Sequence, residues 1–257
     1  MTASRRSRRA RSWNLRLRLP AKIAELVFFP SFCRLCGRLL ERTGERLVCR
    51  PCLAQLLPES AVCCPSCGLF IPAAGEPHLC GDCLREPPAF SCHRSAGRYS
   101  GVLKDLIVLF KYRKCEALGR DLARFAWEAL SNETRLWAGV EAILPVPLHR
   151  RRLKERGFNQ AAVLAHELGK RAGFPVLDGR LTRVRNIPPQ TELDGGARRK
   201  NVAGAFGLRR AKDVAGRTVL LVDDVFTTGS TVAECCRVLK GGGAANIRVL
   251  TLARAQV

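Results

Sequence analysis

Asp223 and Asp224 stand side by side after the apolar run Val219-Leu220-Leu221-Val222, and Thr227-Thr228-Gly229-Ser230-Thr231 follows them closely. Hydroxyls and backbone N–H groups at the start of a helix make an anion site, and a glycine there lets the chain approach a phosphate. Carboxylates cannot hold that anion. They suit ribose hydroxyls or a divalent cation beside it. The stretch therefore asks for a ligand with a phosphate at one end and a sugar diol nearby. A plain helix cap would account for the hydroxyls, but it leaves the two adjacent acids without a task.

The second chemical signal is cysteine spacing. Cys33 and Cys36 form a C-x2-C pair, as do Cys49 and Cys52, and the pattern returns at Cys64, Cys67, Cys80 and Cys83. Each position of the first set recurs 31 residues later (33 to 64, 36 to 67, 49 to 80, 52 to 83), with Gly37 echoed by Gly68 and Leu53 by Leu84. Two such pairs present four thiolates to one tetrahedral ion, and an all-sulfur set favours zinc over iron–sulfur. Disulfides fit poorly, because C-x2-C in a reducing compartment reads as a metal or redox site. Two zinc ions are expected. Sequential pairing gives two independent ribbons and is preferred here; interleaved pairing would tie the repeats together. Cys63 and His78 read as bystanders, and Cys92, Cys115, Cys235 and Cys236 as small buried or half-buried residues.

A third signal is basic. His149, Arg150, Arg151, Arg152, Lys154 and Arg156 crowd what reads as a loop after the strand Glu141–Pro147, closing on Gly157-Phe158-Asn159-Gln160. Arginine is a bidentate partner for phosphate, so His149, Arg150, Arg151 and Arg156 are candidates for a second anion site, against a merely solvated corner. Lys111, Tyr112 and Arg113 form a turn that could point inward.

These groups need a frame. Val219–Val222 reads as a strand buried on both faces of a parallel sheet, with the helix Val232–Lys240 after it. Gly101–Tyr112 places Val102, Leu106, Leu109 and Phe110 at helical spacing, and Cys115–Leu130 does so with Leu118, Leu122, Phe125 and Ala126. Further expected elements are a helix over Ala161–Ala172 and strands over Leu181–Arg185, Ala205–Leu208 and Ala245–Leu252. Between the first two of these strands, Asn186–Gly196 and the cationic Ala197–Val202 read as an excursion that is either a lid or a disordered stretch. The alternation of strand and helix implies an α/β fold with a parallel sheet. The chain divides into a disordered basic arm (1–19), a helix plus double ribbon (20–92) and the α/β domain (93–257).

At 257 residues and 47% apolar content the chain can bury a proper core, and no apolar run approaches the ~20 residues that span a bilayer. The formal net charge of +22 favours polyanion partners, although an arginine-rich proteome would produce the same excess. Leu220–Asp224 is also similar to the first strand of response-regulator receivers, but a receiver needs a whole domain after that strand and the chain stops at Val257.

Val219–Thr231 resembles the signature of type I phosphoribosyltransferases that binds 5-phosphoribosyl 1-pyrophosphate (PRPP). Together with the stretch Leu144–Ala161, the Pro188–Phe206 segment and Phe28–Gly37, it resembles the ComF family. That resemblance implies a type I phosphoribosyltransferase-like parallel sheet flanked by helices, with a small N-terminal double zinc ribbon. It implies that Asp223 and Asp224 hold the ribose 2- and 3-hydroxyls, and that Thr227, Thr228, Gly229, Ser230 and Thr231 hold the 5-phosphate. Mg²⁺ accompanies PRPP, and Arg198, Arg199 and Lys200 would stabilise the pyrophosphate leaving group if the excursion closes. The family association is natural competence, DNA uptake and handling of single-stranded DNA, in the cytoplasm and close to membrane competence machinery. Two alternatives stay open: a non-catalytic PRPP-sensing nucleic-acid factor, and a true phosphoribosyltransferase of nucleotide salvage.

Overall fold

The computed structural model describes residues 31–40, 47–71, 76–112, 115–185 and 203–256. The basic arm 1–19, the segment 20–30, Arg113 and the excursion with Arg198, Arg199 and Lys200 lie outside them.

Four strands form a parallel sheet: β1 (Cys92–Arg98), β2 (Val140–Pro145), β5 (Thr218–Phe226) and β6 (Asn246–Arg254), in the order β1-β6-β5-β2. β3 (Leu181–Arg183) and β4 (Phe206–Leu208) pair antiparallel as a separate small ribbon. The helices are α1 (Arg50–Leu53), α2 (Gly81–Arg85), α3 (Gly101–Tyr112), α4 (Leu118–Leu130), α5 (Thr134–Trp137), α6 (Arg150–Arg156), α7 (Gln160–Ala172) and α8 (Ser230–Gly241). Among the described residues none is long and apolar enough to cross a membrane.

β5 explains the arrangement. Its side chains alternate between two cores, as a strand covered on both faces requires. Leu220 and Val222 pack with Leu106, Phe110, Leu122 and Leu164 of α3, α4 and α7. Val219 and Leu221 pack with Cys235, Cys236 and Leu239 of α8. The two cysteine repeats divide in the same way: Cys33, Cys49 and Cys52 belong to the first core, Cys64, Cys67 and Cys83 to the second. Cys92, Cys115, Cys235 and Cys236 are all buried, as expected of them.

Two expectations need correction. The arginine run after β2 is not a loop but the helix α6. Arg, Leu, Lys and Glu are good helix formers, and the His149 ring Nδ1 caps the run by accepting from the Arg151 backbone N–H at 3.3 Å. Gly157, in the left-handed region at φ 86°, ends it. β5 also does not stop at Val222. It runs on through both acids to Phe226, because β6 continues to pair with it (Asp223 with Thr251, Phe226 with Arg254). β2 ends at Pro145, opposite Val222, so the acids emerge where one neighbouring strand has departed.

Candidate functional site

Asp223 is half-buried and Asp224 is buried, and both sit at the carboxyl end of β5. Asp223 Oδ1 accepts the Asp224 backbone N–H at 2.8 Å. Burial, with Asp224 next door, pushes the Asp223 carboxyl up to about 7. The Asp224 N–H, Lys111 and Arg183 oppose that rise without cancelling it. Asp224 has its own cation: Lys111 Nζ lies 2.6 Å from its Oδ1, with the two side chains only 14% and 12% exposed. Burial would lower Lys111, but Asp224 and Asp223 more than reverse that and raise it above the usual lysine value. α3 thus ends by delivering a buried ammonium to the acid pair.

More positive charge gathers around this pair. Arg156 lies 5.1 Å from the Tyr112 ring centroid and donates to Gln160 Oε1 at 3.0 Å. Gln160 is 1% exposed, and its Nε2 has no partner. Arg183 lies 5.3 Å from the Phe206 ring centroid and is held below its ordinary value by burial and by Arg152, against the attraction of Asp223. Of the predicted basic residues, Arg150 and Arg151 lie exposed on α6, with Arg151 paired to Glu155 at 3.2 Å, and His149 caps the helix. Arg156 is the one whose partners include the Lys111 neighbourhood. Arg152 belongs to the basic run read from sequence but not to the four candidates drawn from it. Arg183 and Gln160 have no reading of their own, the Gly157–Gln160 motif being the available signal for Gln160.

Thr227–Thr231 forms the turn into α8. Gly229 is the residue before the helix, at φ 74°, and as a glycine it offers the helix start no side-chain cap. Thr228 Oγ1 and Ser230 Oγ instead lie 2.9 Å apart, bonded to each other. Among the described residues no hydroxyl accepts from the first N–H groups of this twelve-residue helix. A Cβ on Gly229 would lie 2.6 Å from Phe226 Cζ, so only glycine fits there. Acid pair and turn are joined by two residues of the same strand.

The eight repeated cysteines gather into two sets, Cys33/Cys36/Cys49/Cys52 and Cys64/Cys67/Cys80/Cys83, each with its sulfurs within 4.8 Å of one another. Cys63 and His78 belong to neither. The S···S separations include 3.6 Å (Cys36–Cys49), 3.9 Å (Cys33–Cys52) and 3.6 Å (Cys67–Cys80). A zinc ion with sulfurs at ~2.3 Å requires tetrahedral edges of about 3.8 Å. The backbone N–H of Cys49 points at Cys33 Sγ and that of Cys80 at Cys64 Sγ, both at 3.4 Å. Burial would raise these two thiols; the backbone donors prevail and lower Cys33 to about 6 and Cys64 to about 7. Both sets fit zinc, with the sequential pairing. Metal analysis should return two zinc ions per chain, and Cys36→Ser should return one; a single ion in the unaltered protein would contradict separate sites.

Comparison with known proteins agrees with both halves of this description. Residues 153–256 match the phosphoribosyl transferase domain family, and residues 25–84 the double zinc ribbon domain family. Competence protein F of Haemophilus influenzae is 35% identical over 211 residues, covering 81% of this chain and 90% of that protein. DNA utilization protein YhgH of Escherichia coli K12 is 33% identical over 232 residues, covering 89% and 99%. Competence protein ComFC of Bacillus subtilis is 26% identical over 218 residues, covering 82% and 85%. Among solved structures, a purine phosphoribosyltransferase from Pyrococcus horikoshii aligns with a TM-score of 0.34 at 19% identity, covering 52% of this chain and 73% of that one.

Proposed function

Because the chain belongs to the ComF family, that of competence protein F and the DNA utilization protein YhgH, we propose that it binds PRPP and acts in DNA uptake, handling incoming single-stranded DNA on the cytoplasmic side. The observation that carries the PRPP reading is the uncapped start of α8 joined to an acid pair. Backbone N–H groups of Ser230 and Thr231 and the hydroxyls of Thr227, Thr228, Ser230 and Thr231 receive the 5-phosphate. Asp223 and Asp224 accept hydrogen bonds from the ribose diol. Lys111 already neutralises Asp224, so the Mg²⁺ that enters with PRPP belongs with its pyrophosphate, where it spreads the leaving group's charge.

Arg183, whose charge acts on Asp223, Arg152 beside it, and Arg156 beside Lys111 are the candidates to meet that pyrophosphate, with Arg198, Arg199 and Lys200 as further ones. Their chemistry suits cleavage at the anomeric carbon: the C1–O bond breaks, the sugar gains positive character, and the departing pyrophosphate is met by fixed cations. Incubation with PRPP, Mg²⁺ and a panel of bases and nucleic acids tests this. Pyrophosphate release stimulated by one acceptor is the result expected of a transferase. Binding by calorimetry without release assigns the site to sensing. Absence of binding defeats the reading.

The net charge of +22 favours the nucleic-acid part of the proposal. Single-stranded DNA affinity should then fall by about two to three orders of magnitude between 50 and 200 mM salt if some six phosphates are contacted. A flat salt response would remove the cationic track from the account.

A further inference from the structure

The second cysteine set is linked to the turn into α8 through residues of β1, β6 and β5. Its knuckle, Cys64 to Gly68, is tied to β1 and β6 by main-chain and side-chain bonds. The Cys67 carbonyl accepts from Arg254 Nη1 at 2.7 Å and meets His93 Nδ1 at 2.7 Å. A carbonyl only accepts, so a His93 proton is on Nδ1; Nε2 lies 3.0 Å from Thr251 Oγ1, whose one proton has Ala253 O at 3.2 Å as its other acceptor. Arg254 Nη2 lies 3.8 Å from Cys67 Sγ itself. The His93 backbone N–H donates to Ser66 O at 2.8 Å, and Arg94 Nη1 donates to Pro65 O at 3.2 Å. Gly68 presses on β1 so closely that a Cβ there would lie 2.6 Å from His93 O.

The two residues that grip Cys67 also grip Phe226, the last residue of β5. The His93 ring stacks on the Phe226 ring at 4.3 Å and 21°, and the Arg254 guanidinium lies 4.6 Å from its centroid. Phe90 meets the same ring edge-on at 6.2 Å. The tip of that ring occupies the space where a side chain at position 229 would have to go. The contacts run without a gap from Cys67, through His93 and Arg254, to Phe226 and then Gly229. Close-packed groups of this kind transmit displacement, because the interior has little room to absorb it. Cys33, Cys49 and Cys52 pack in the other core, with α3 and α4, and among the described residues no hydrogen bond or ring contact joins them to Phe226.

We propose that the second cysteine centre supports the phosphate turn, with His93, Arg254 and Phe226 as positioning residues, so that metal in that centre and phosphate at the turn tighten each other. The inference rests on the PRPP reading of the turn. Linkage makes the effect reciprocal: whatever factor the metal contributes to phosphate affinity, the phosphate contributes to metal retention.

The test uses the full chain loaded with two zinc ions and follows zinc release to a coloured chelator. Two phases are expected, and saturating Mg·PRPP should slow one of them about tenfold while leaving the other unchanged. In Arg254→Met, PRPP affinity measured by calorimetry should weaken about tenfold, and the sensitive phase should lose its response. Release phases indifferent to PRPP, in a protein that calorimetry shows to bind it, would overturn the coupling and spare the site. A protein that binds no PRPP overturns both. Should Arg254→Met fail to fold, the release phases of the unaltered protein decide alone.

Discussion

Asp223→Asn should stabilise the ligand-free protein at pH 8 and at the same time strip it of PRPP affinity. The folded protein holds the Asp223 proton up to about pH 7, against an ordinary value of 3.8, chiefly because the carboxylate is poorly solvated and faces Asp224. A group whose folded pKa is raised contributes stability below its unfolded value and loses it as pH rises through the folded one. Above pH 7 the ionised Asp223 is therefore a cost, on the order of 2 kcal/mol after allowing for partial exposure. Asparagine keeps the acceptor for the Asp224 N–H and removes the charge. The melting temperature should rise by about 4–8 °C at pH 8 for a chain of this size, and the gain should vanish near pH 4. Charged hydrogen bonds to a ribose hydroxyl contribute about 1.5–3 kcal/mol each, so PRPP should bind about 10- to 100-fold more weakly by calorimetry. Unaltered affinity would end the diol assignment; a lower melting temperature at pH 8 would show that the carboxylate carries no such cost.

A site that is more stable without its acid is one whose sequence was chosen for ligand and not for fold, and this bears on what could be read in advance. β5 and its motif were legible because apolar run, acids, hydroxyl turn and helix are contiguous. The ribbons were legible because the repeat at an offset of 31 writes out the ligand set, and the two sulfur clusters follow it. What escaped was built by residues distant in sequence. From sequence Lys111 is only one of three residues at a turn that could face inward; its pairing with Asp224 depends on where α3 ends against the sheet. Arg183 reaches the acids only because the β3–β4 ribbon folds over α8. α6 was missed for a different reason: a dense arginine run reads as solvated loop, although each of its residues tolerates a helix and His149 and Gly157 close its two ends. The sheet order β1-β6-β5-β2 sets His93 and Arg254 on neighbouring strands, and no periodicity announces that.

Lys111→Met should cost the protein about 3–5 kcal/mol, the usual loss when one partner of a buried ion pair is removed. Methionine matches the lysine stem in length, so packing is largely kept and the loss reports the charge left on Asp224. Against a total stability of about 5–15 kcal/mol, that shift should be plain in the urea midpoint. Its pH dependence has a definite sign: the folded pKa of Lys111 lies above 10.5, so the pair's contribution is whole below that value and disappears as pH rises beyond it. Unaltered and variant proteins should therefore converge in stability in strong alkali, and also in acid once Asp224 takes up a proton. The double variant Lys111→Met with Asp224→Asn should recover most of the loss at neutral pH, because it removes the stranded carboxylate as well as its partner. A single variant as stable as the unaltered chain, or a double variant no better than the single, would mean that the 2.6 Å contact does not neutralise Asp224. In that case Mg²⁺ would have an unclaimed carboxylate at the diol, and the division of labour between Lys111 and the metal would have to be reversed.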